Sequence, residues 1–159
     1  MYRQVFEAWL ESSSVIEIRN LKSWEFLDFM RILHKIFPDR SNSSLFLNLY
    51  EVFPEGFIVA VDKKRFVGFA IGVIDHGGNG RILLIGVDKD FRRKGIGSML
   101  LKRLLLLFSM KGARKAELEV RVSNLDAIRF YERMGFRLRE RVDGYYEDGE
   151  SAYIMEKNL

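Results

Sequence analysis

Residues 88–104, DKDFRRKGIGSMLLKRL, set three consecutive cations, Arg92, Arg93 and Lys94, directly before Gly95, Gly97 and an apolar helical run. The first amides of a helix have no partner within it, and the helix dipole adds partial positive charge there. A glycine-lined helix start flanked by arginines is therefore a place for a phosphate or pyrophosphate. Without such an anion the three cations would oppose the dipole. Among phosphate-binding patterns, G-x-x-x-x-G-K-[ST] is absent. The dinucleotide pattern G-x-G-x-x-G fails because Leu100 occupies its third glycine position and Gly95 lies several residues beyond the preceding strand. What remains is R-x-x-G-x-G, formed by Arg92, Gly95 and Gly97. Downstream, Glu117, Glu119 and Arg121 alternate along KAELEVRV and share one polar strand face, where the plain expectation is ion pairing with neighbours.

These residues need elements to hold them. VIEIRN (15–20) alternates as a strand, and Ser23 is the expected N-cap of an amphipathic helix that ends before Pro38. SSLFLNLYEVF reads as a second short helix closed by Pro54. GFIVAVD and RFVGFAIGVI form a hairpin around Asp62, Lys63 and Lys64. After the glycine-rich turn DHGGNG, RILLIGV is expected as a third antiparallel strand, buried on both faces because it does not alternate. The cationic stretch then opens a helix from about Gly95 to Lys111, apolar nearly all round and so well covered. KAELEVRV is a strand and NLDAIRFYERM a helix stopped by Gly135. FRLRERV and ESAYIMEKN form a closing pair joined by DGYYEDG. The predicted fold is α/β (α+β), one mixed, mainly antiparallel sheet of six to seven strands flanked by about four helices.

With 159 residues the chain suits one domain. Its 26 Lys and Arg stand against 22 Asp and Glu, spread so evenly that the net charge of +4 does not call for nucleic acid. Cysteine is absent and His34 and His76 are far apart, so neither a disulfide framework nor a metal centre is expected. No apolar run near the motif approaches the length of a membrane span, and Glu7 and Glu11 interrupt the start of the chain. The expected location is cytoplasmic, with no membrane partner.

Between residues 85 and 136 the sequence resembles the GCN5-related N-acetyltransferase (GNAT) superfamily. R-x-x-G-x-G is followed by N-x-x-A-x-x-x-Y-x-x-x-G-F at Asn124, Ala127, Tyr131, Gly135 and Phe136. LEVRVSN and DGYYEDGESAYIM are similar to the branch that acetylates protein N-termini, typified by the ribosomal-protein-alanine and archaeal N-terminal acetyltransferases. The resemblance implies a GNAT domain over 15–159 that uses acetyl-CoA. The sequence departs from it in an extension (1–14), whose apolar Val5, Phe6, Trp9 and Leu10 are expected to pack on the domain or on a partner subunit, with a homodimer as one arrangement. The resemblance implies cofactor contacts at Ile85, Val87, Arg92, Arg93, Lys94, Gly95, Gly97, Ser98, Asn124, Ala127 and Tyr131. Glu119 would be the general base, Tyr131 the acid for the departing thiolate, and Tyr145 and Tyr146 would hold the acceptor. For Tyr131 the resemblance sets a phenol near pKa 10 against a thiol near 8.5, a rough match for proton transfer. The other readings are ion pairing for Glu119, packing beside Phe130 for Tyr131, and helix capping for Asn124. The implied activity is direct transfer of acetyl to a primary amine, a protein or peptide N-terminal α-amine. The alternatives are a polyamine or antibiotic as acceptor, or a non-catalytic CoA-binding module.

Overall fold

A computed structural model describes residues 2–5, 15–40 and 42–159. The proposed extension, 1–14, therefore falls largely outside the described residues. Seven strands form one sheet: β1 (Glu17–Asn20), β2 (Phe57–Asp62), β3 (Arg65–Ile74), β4 (Gly80–Val87), β5 (Lys115–Arg121), β6 (Arg137–Val142) and β7 (Ala152–Asn158). Their order is β1-β2-β3-β4-β5-β7-β6, antiparallel except for β4 and β5. Among the described residues from 15 on, four α-helices flank it: α1 (Phe26–Ile36), α2 (Ser43–Val52), α3 (Ile96–Met110) and α4 (Leu125–Arg133). The predicted architecture stands.

Each face of the sheet has its own core. On one, Phe29 and Leu33 of α1 and Phe46 of α2 pack on Phe57, Val59 and Phe69. Phe29 meets Phe57 and Phe69 edge-on at 5.6 and 5.4 Å. On the other, Leu100, Leu104 and Phe108 of α3 cover Ala70, Ile82, Ala116 and Leu118. The ring of Phe108 lies on bare backbone: a Cβ on Gly80 would stand 2.2 Å from its Cδ2, and one on Gly72 2.6 Å from its Cζ. Phe108 is fully buried and has no room to retreat. Gly80→Ala is therefore expected to cost about 2 kcal/mol, read as a lower denaturant midpoint with unchanged slope.

Three local expectations change. Ser23 is not the N-cap of α1: Ser23–Glu25 form a 3-10 turn capped by Lys22, whose amide the Glu25 side chain accepts at 2.9 Å, and Glu25 is the N-cap of α1 itself. Glu25 is then held by Arg19 with two hydrogen bonds of 2.8 Å, which explains why the chain enters α1 through this turn. The strand β4 is not buried on both faces; Arg81, Ile85 and Val87 are half-buried and Leu83 is exposed. Its ladder with parallel β5 consists of Gly80 and Arg81 only, so the two strands part beyond that point and leave one edge of β4 open. A bulge against Ile71 and Gly72 then skips Leu83, placing Ile82 in the α3-side core and Leu84 in the α1-side core. Finally, α3 is less covered than its composition suggests, for Leu106 and Met110 are exposed.

Candidate active site

The site begins where β4 ends. After Val87 the chain makes a 3-10 turn (Lys89–Phe91) and reaches α3 at Ile96. Asp88 anchors the turn. Its carboxylate, 4% exposed, accepts Lys35 Nζ at 2.6 Å and the Asp90 amide at 3.1 Å, while its own amide donates to Val67 O at 2.8 Å. The Lys35 hydrogen bond, against the opposing effect of burial, holds the Asp88 carboxyl below its ordinary range. Arg92 folds back and donates from Nε to Val87 O at 3.2 Å. Gly95 is the N-cap of α3 at φ 77°, with no side chain bonding the first amides and no carboxylate in the first turn. Those amides are open to an anion from outside. A Cβ on Gly97 would stand 3.6 Å from Phe130 and 3.9 Å from Val87, both ordinary contacts. Nothing in the protein itself demands glycine at 97, and its bare backbone leaves room for a ligand. Ser98 Oγ meets Met134 Sδ at 3.4 Å, tying the start of α3 to the end of α4.

The gap between β4 and β5 joins the two faces of the sheet. Alternation on β5 sends Ala116, Leu118 and Val120 toward α3 and Glu117, Glu119 and Arg121 to the opposite face. Glu119 pairs there with Arg81 of β4, the last residue before the strands part. Buried Glu117 is shared by Arg139 at 2.8 Å, Lys115 at 3.1 Å and Arg81 at 3.5 Å. The expectation of ion pairing on this face is met, and Glu119 is in addition the carboxylate at the mouth of the gap. Arg81 had no role in the sequence reading. The signal for it was a lone cation opening an apolar strand.

On the α3 side, Tyr131 of α4 packs with Phe130 (5.2 Å between ring centroids) and Phe136 (5.7 Å). Burial pushes its phenol up to about 12. The rough match to a thiolate is thus lost, since the gap to a thiol near 8.5 widens to about 3.5 units. Asn124 caps α4, its side chain accepting the Ala127 amide at 3.2 Å, so both residues stand at the start of that helix, while Phe130 further along it approaches Gly97. Glu119 and Tyr131 therefore lie on opposite sides of the sheet.

Beyond Glu119, Arg121 connects to the β6–β7 loop. Its guanidinium lies 4.0 Å above the Tyr146 ring and bonds Asp148 at 2.8 Å. Tyr145 packs edge-on against Tyr146 at 5.0 Å and is exposed. Burial raises the Tyr146 phenol, with Arg121 and Arg40 acting in the other direction, which brings the loop after α1 into the electrostatic neighbourhood of this loop.

Both the sequence and the fold match known proteins. The Acetyltransferase (GNAT) family profile matches residues 18–136. An uncharacterised N-acetyltransferase of Methanocaldococcus jannaschii is 40% identical over 141 residues, covering 88% of this chain and 90% of the relative. An N-alpha-acetyltransferase of Saccharolobus solfataricus is 31% identical over 156 residues, with 89% and 92% covered. The solved structure of Arabidopsis thaliana Naa50 in complex with the bisubstrate analogue CoA-Ac-MVNAL superposes with a TM-score of 0.76 at 26% identity, covering 91% of this chain and 99% of that one. With the profile spanning the open loop, the parted strands and the α4 motif together, the chain belongs to the GNAT family of acetyltransferases.

Proposed function

We propose that the enzyme transfers acetyl from acetyl-CoA to the α-amine of a protein or peptide N-terminus, directly and within a ternary complex. The observation that carries this reading is the parting of β4 and β5 at Arg81, with an open anion loop on one side and, on the other, Glu119 on the strand face whose Arg121 meets the tyrosine loop. Bound acetyl-CoA supplies an activated thioester. The amides of Ile96, Gly97 and Ser98, with Arg92, Arg93 and Lys94, would hold its pyrophosphate. The backbone of Ile85 and Val87 would line its arm, and Asn124, Ala127 and Tyr131 its far wall. Likeness to proteins whose names specify N-alpha acetylation supports the α-amine as acceptor.

The Glu119 carboxylate, positioned by Arg81, takes the proton of the incoming amine directly or through water. An α-amine, near pKa 8, is partly neutral at pH 7, whereas a lysine near 10.4 is almost wholly charged, so a single carboxylate suffices for the former. The Tyr131 hydroxyl faces a different task. Full proton transfer from a phenol near 12 to a thiolate would run uphill by about 5 kcal/mol, so the hydroxyl acts as a neutral hydrogen-bond donor to the departing sulfur. Tyr131→Phe is expected to lower kcat about tenfold, with no change in the alkaline limb of the rate profile up to about pH 10. A full loss of activity, or a new alkaline limb, would contradict this role.

The deciding experiment incubates the protein and acetyl-CoA with peptides of varied first residue, and in parallel with polyamines and lysine-rich peptides blocked at the N-terminus. Mass spectrometry should place one acetyl group on the first α-amine. Acetylation confined to polyamines or lysine side chains would overturn the assignment of the acceptor.

A further inference from the structure

The last turn of α1 holds the end of β4 at consecutive positions. Lys35 Nζ donates to the carboxylate of Asp88 at 2.6 Å, across 53 residues of sequence, and Asp88 is buried. Ile36 and Phe37 lie on the bare backbone of Gly86: a Cβ there would stand 2.9 Å from Ile36 Cγ2 and 2.9 Å from Phe37 Cε2. Phe37 also meets Phe69 edge-on at 6.0 Å, and Phe69 pairs with Gly86 across the β3–β4 ladder. Ile85 and Val87, which alternate with Gly86, pack instead on the α3-side core. The helix is thus fitted from one face to the stretch of β4 whose backbone would line the arm of acetyl-CoA. It also holds the residue that opens the turn into the anion loop.

On the proposed function, the acceptor reaches the same stretch from the α1 side. Glu119 projects from β5 on the face opposite α3, at the gap that β4 and β5 leave beyond Arg81. One wall of that gap is β4, and the end of α1 covers the last residues of this wall. An amine beside Glu119 and a pyrophosphate at the start of α3 would therefore lie to either side of one joint, Lys35 to Asp88.

We propose that Lys35 is a positioning residue that couples the two substrates: through Asp88 it locks the end of α1 to the acetyl-CoA loop, so that acetyl-CoA and the peptide amine raise each other's affinity. Binding of either one fixes the shared stretch of β4, and the other then meets a wall already in place. Desolvation of the Asp88 carboxylate offsets much of what the pair contributes to stability, and what the pair adds is a fixed register between helix and loop. Coupling of this kind is reciprocal: each ligand changes the Kd of the other by the same factor.

The test is calorimetry on the full chain, with CoA as the unreactive cofactor and, as acceptor, a peptide whose N-terminal α-amine the protein acetylates. In the parent, saturating peptide should lower the Kd for CoA about tenfold, and saturating CoA should lower the Kd for peptide by the same factor. Lys35→Met keeps an apolar stem and removes the ammonium. Asp88 retains the Asp90 amide, and Arg65 remains in its electrostatic neighbourhood, so the variant should fold. In this variant the factor should fall to about one, and Lys35→Arg, which can still donate to Asp88, should restore most of it. A role in stability alone predicts a different split: a lower melting temperature in Lys35→Met with the parent's factor intact. That result, independent binding of CoA and peptide in the parent, or a Lys35→Arg variant as uncoupled as Lys35→Met would each overturn the proposal. Independent binding by a protein that still acetylates the peptide leaves the proposed reaction standing, whereas a protein that binds no CoA, or acetylates no peptide α-amine, overturns both.

Discussion

Glu119→Gln is expected to lower kcat by about two orders of magnitude while leaving the affinity for acetyl-CoA and the thermal midpoint close to those of the parent. The substitution preserves shape, and the amide oxygen can still accept from Arg81, so the pairing geometry at the mouth of the gap survives. What is lost is a carboxylate able to take a proton. Because Glu119 lies on the face opposite α3, away from the anion loop, acetyl-CoA binding should not register the change. Glu117→Gln supplies the control. That carboxylate sits on the same face, buried, and is shared by three cations, so its loss should cost stability, about 1–3 kcal/mol, with a smaller effect on kcat. If the two variants slow turnover equally, the face acts through its total charge and Glu119 is not the base. Calorimetry with CoA, a denaturation curve and steady-state rates on one peptide decide the matter.

Much of this site was legible because its signals are local. Gly95 and Asn124 are each dictated by the turn or cap they make, and the cations before Gly95 are consecutive in the chain. The sheet order was less accessible. That β7 lies between β5 and β6 follows from long-range pairing such as Glu119 opposite Ile154, which no local period encodes. The same holds for the half-open face of β4. An apolar run such as RILLIGV reads as buried on both sides, yet β5 departs after Arg81 and leaves that edge open. Arg81 and Glu119, like Lys35 and Asp88, become partners only through tertiary structure, so these pairings were invisible from either residue alone. The raised Tyr131 phenol is a product of burial against the α3-side core, which its place in the sequence does not show.

Two variants of the loop separate cofactor binding from fold, and the pair makes the strongest test of the anion site. Arg92→Ala with Arg93→Ala is expected to raise the Kd for acetyl-CoA about a thousandfold, since two charge-assisted hydrogen bonds to phosphate are each worth about 1.5–3 kcal/mol. Both side chains are exposed, and the one internal bond lost is that from Arg92 Nε to Val87 O, so the fold should persist. Gly97→Ala approaches the same site from the opposite direction. Its Cβ fits the protein, standing 3.6 Å from Phe130, and alanine in place of glycine favours a helix by about 0.5–1 kcal/mol. The variant should therefore melt at a higher temperature than the parent and yet bind acetyl-CoA at least about tenfold more weakly, because the methyl group occupies the approach to the first amides of α3. A stabilised protein with a weakened cofactor site cannot be explained by damage to the fold. Should Gly97→Ala gain stability and keep full affinity, the pyrophosphate does not rest on this helix start, and the three cations before it must answer to another anion.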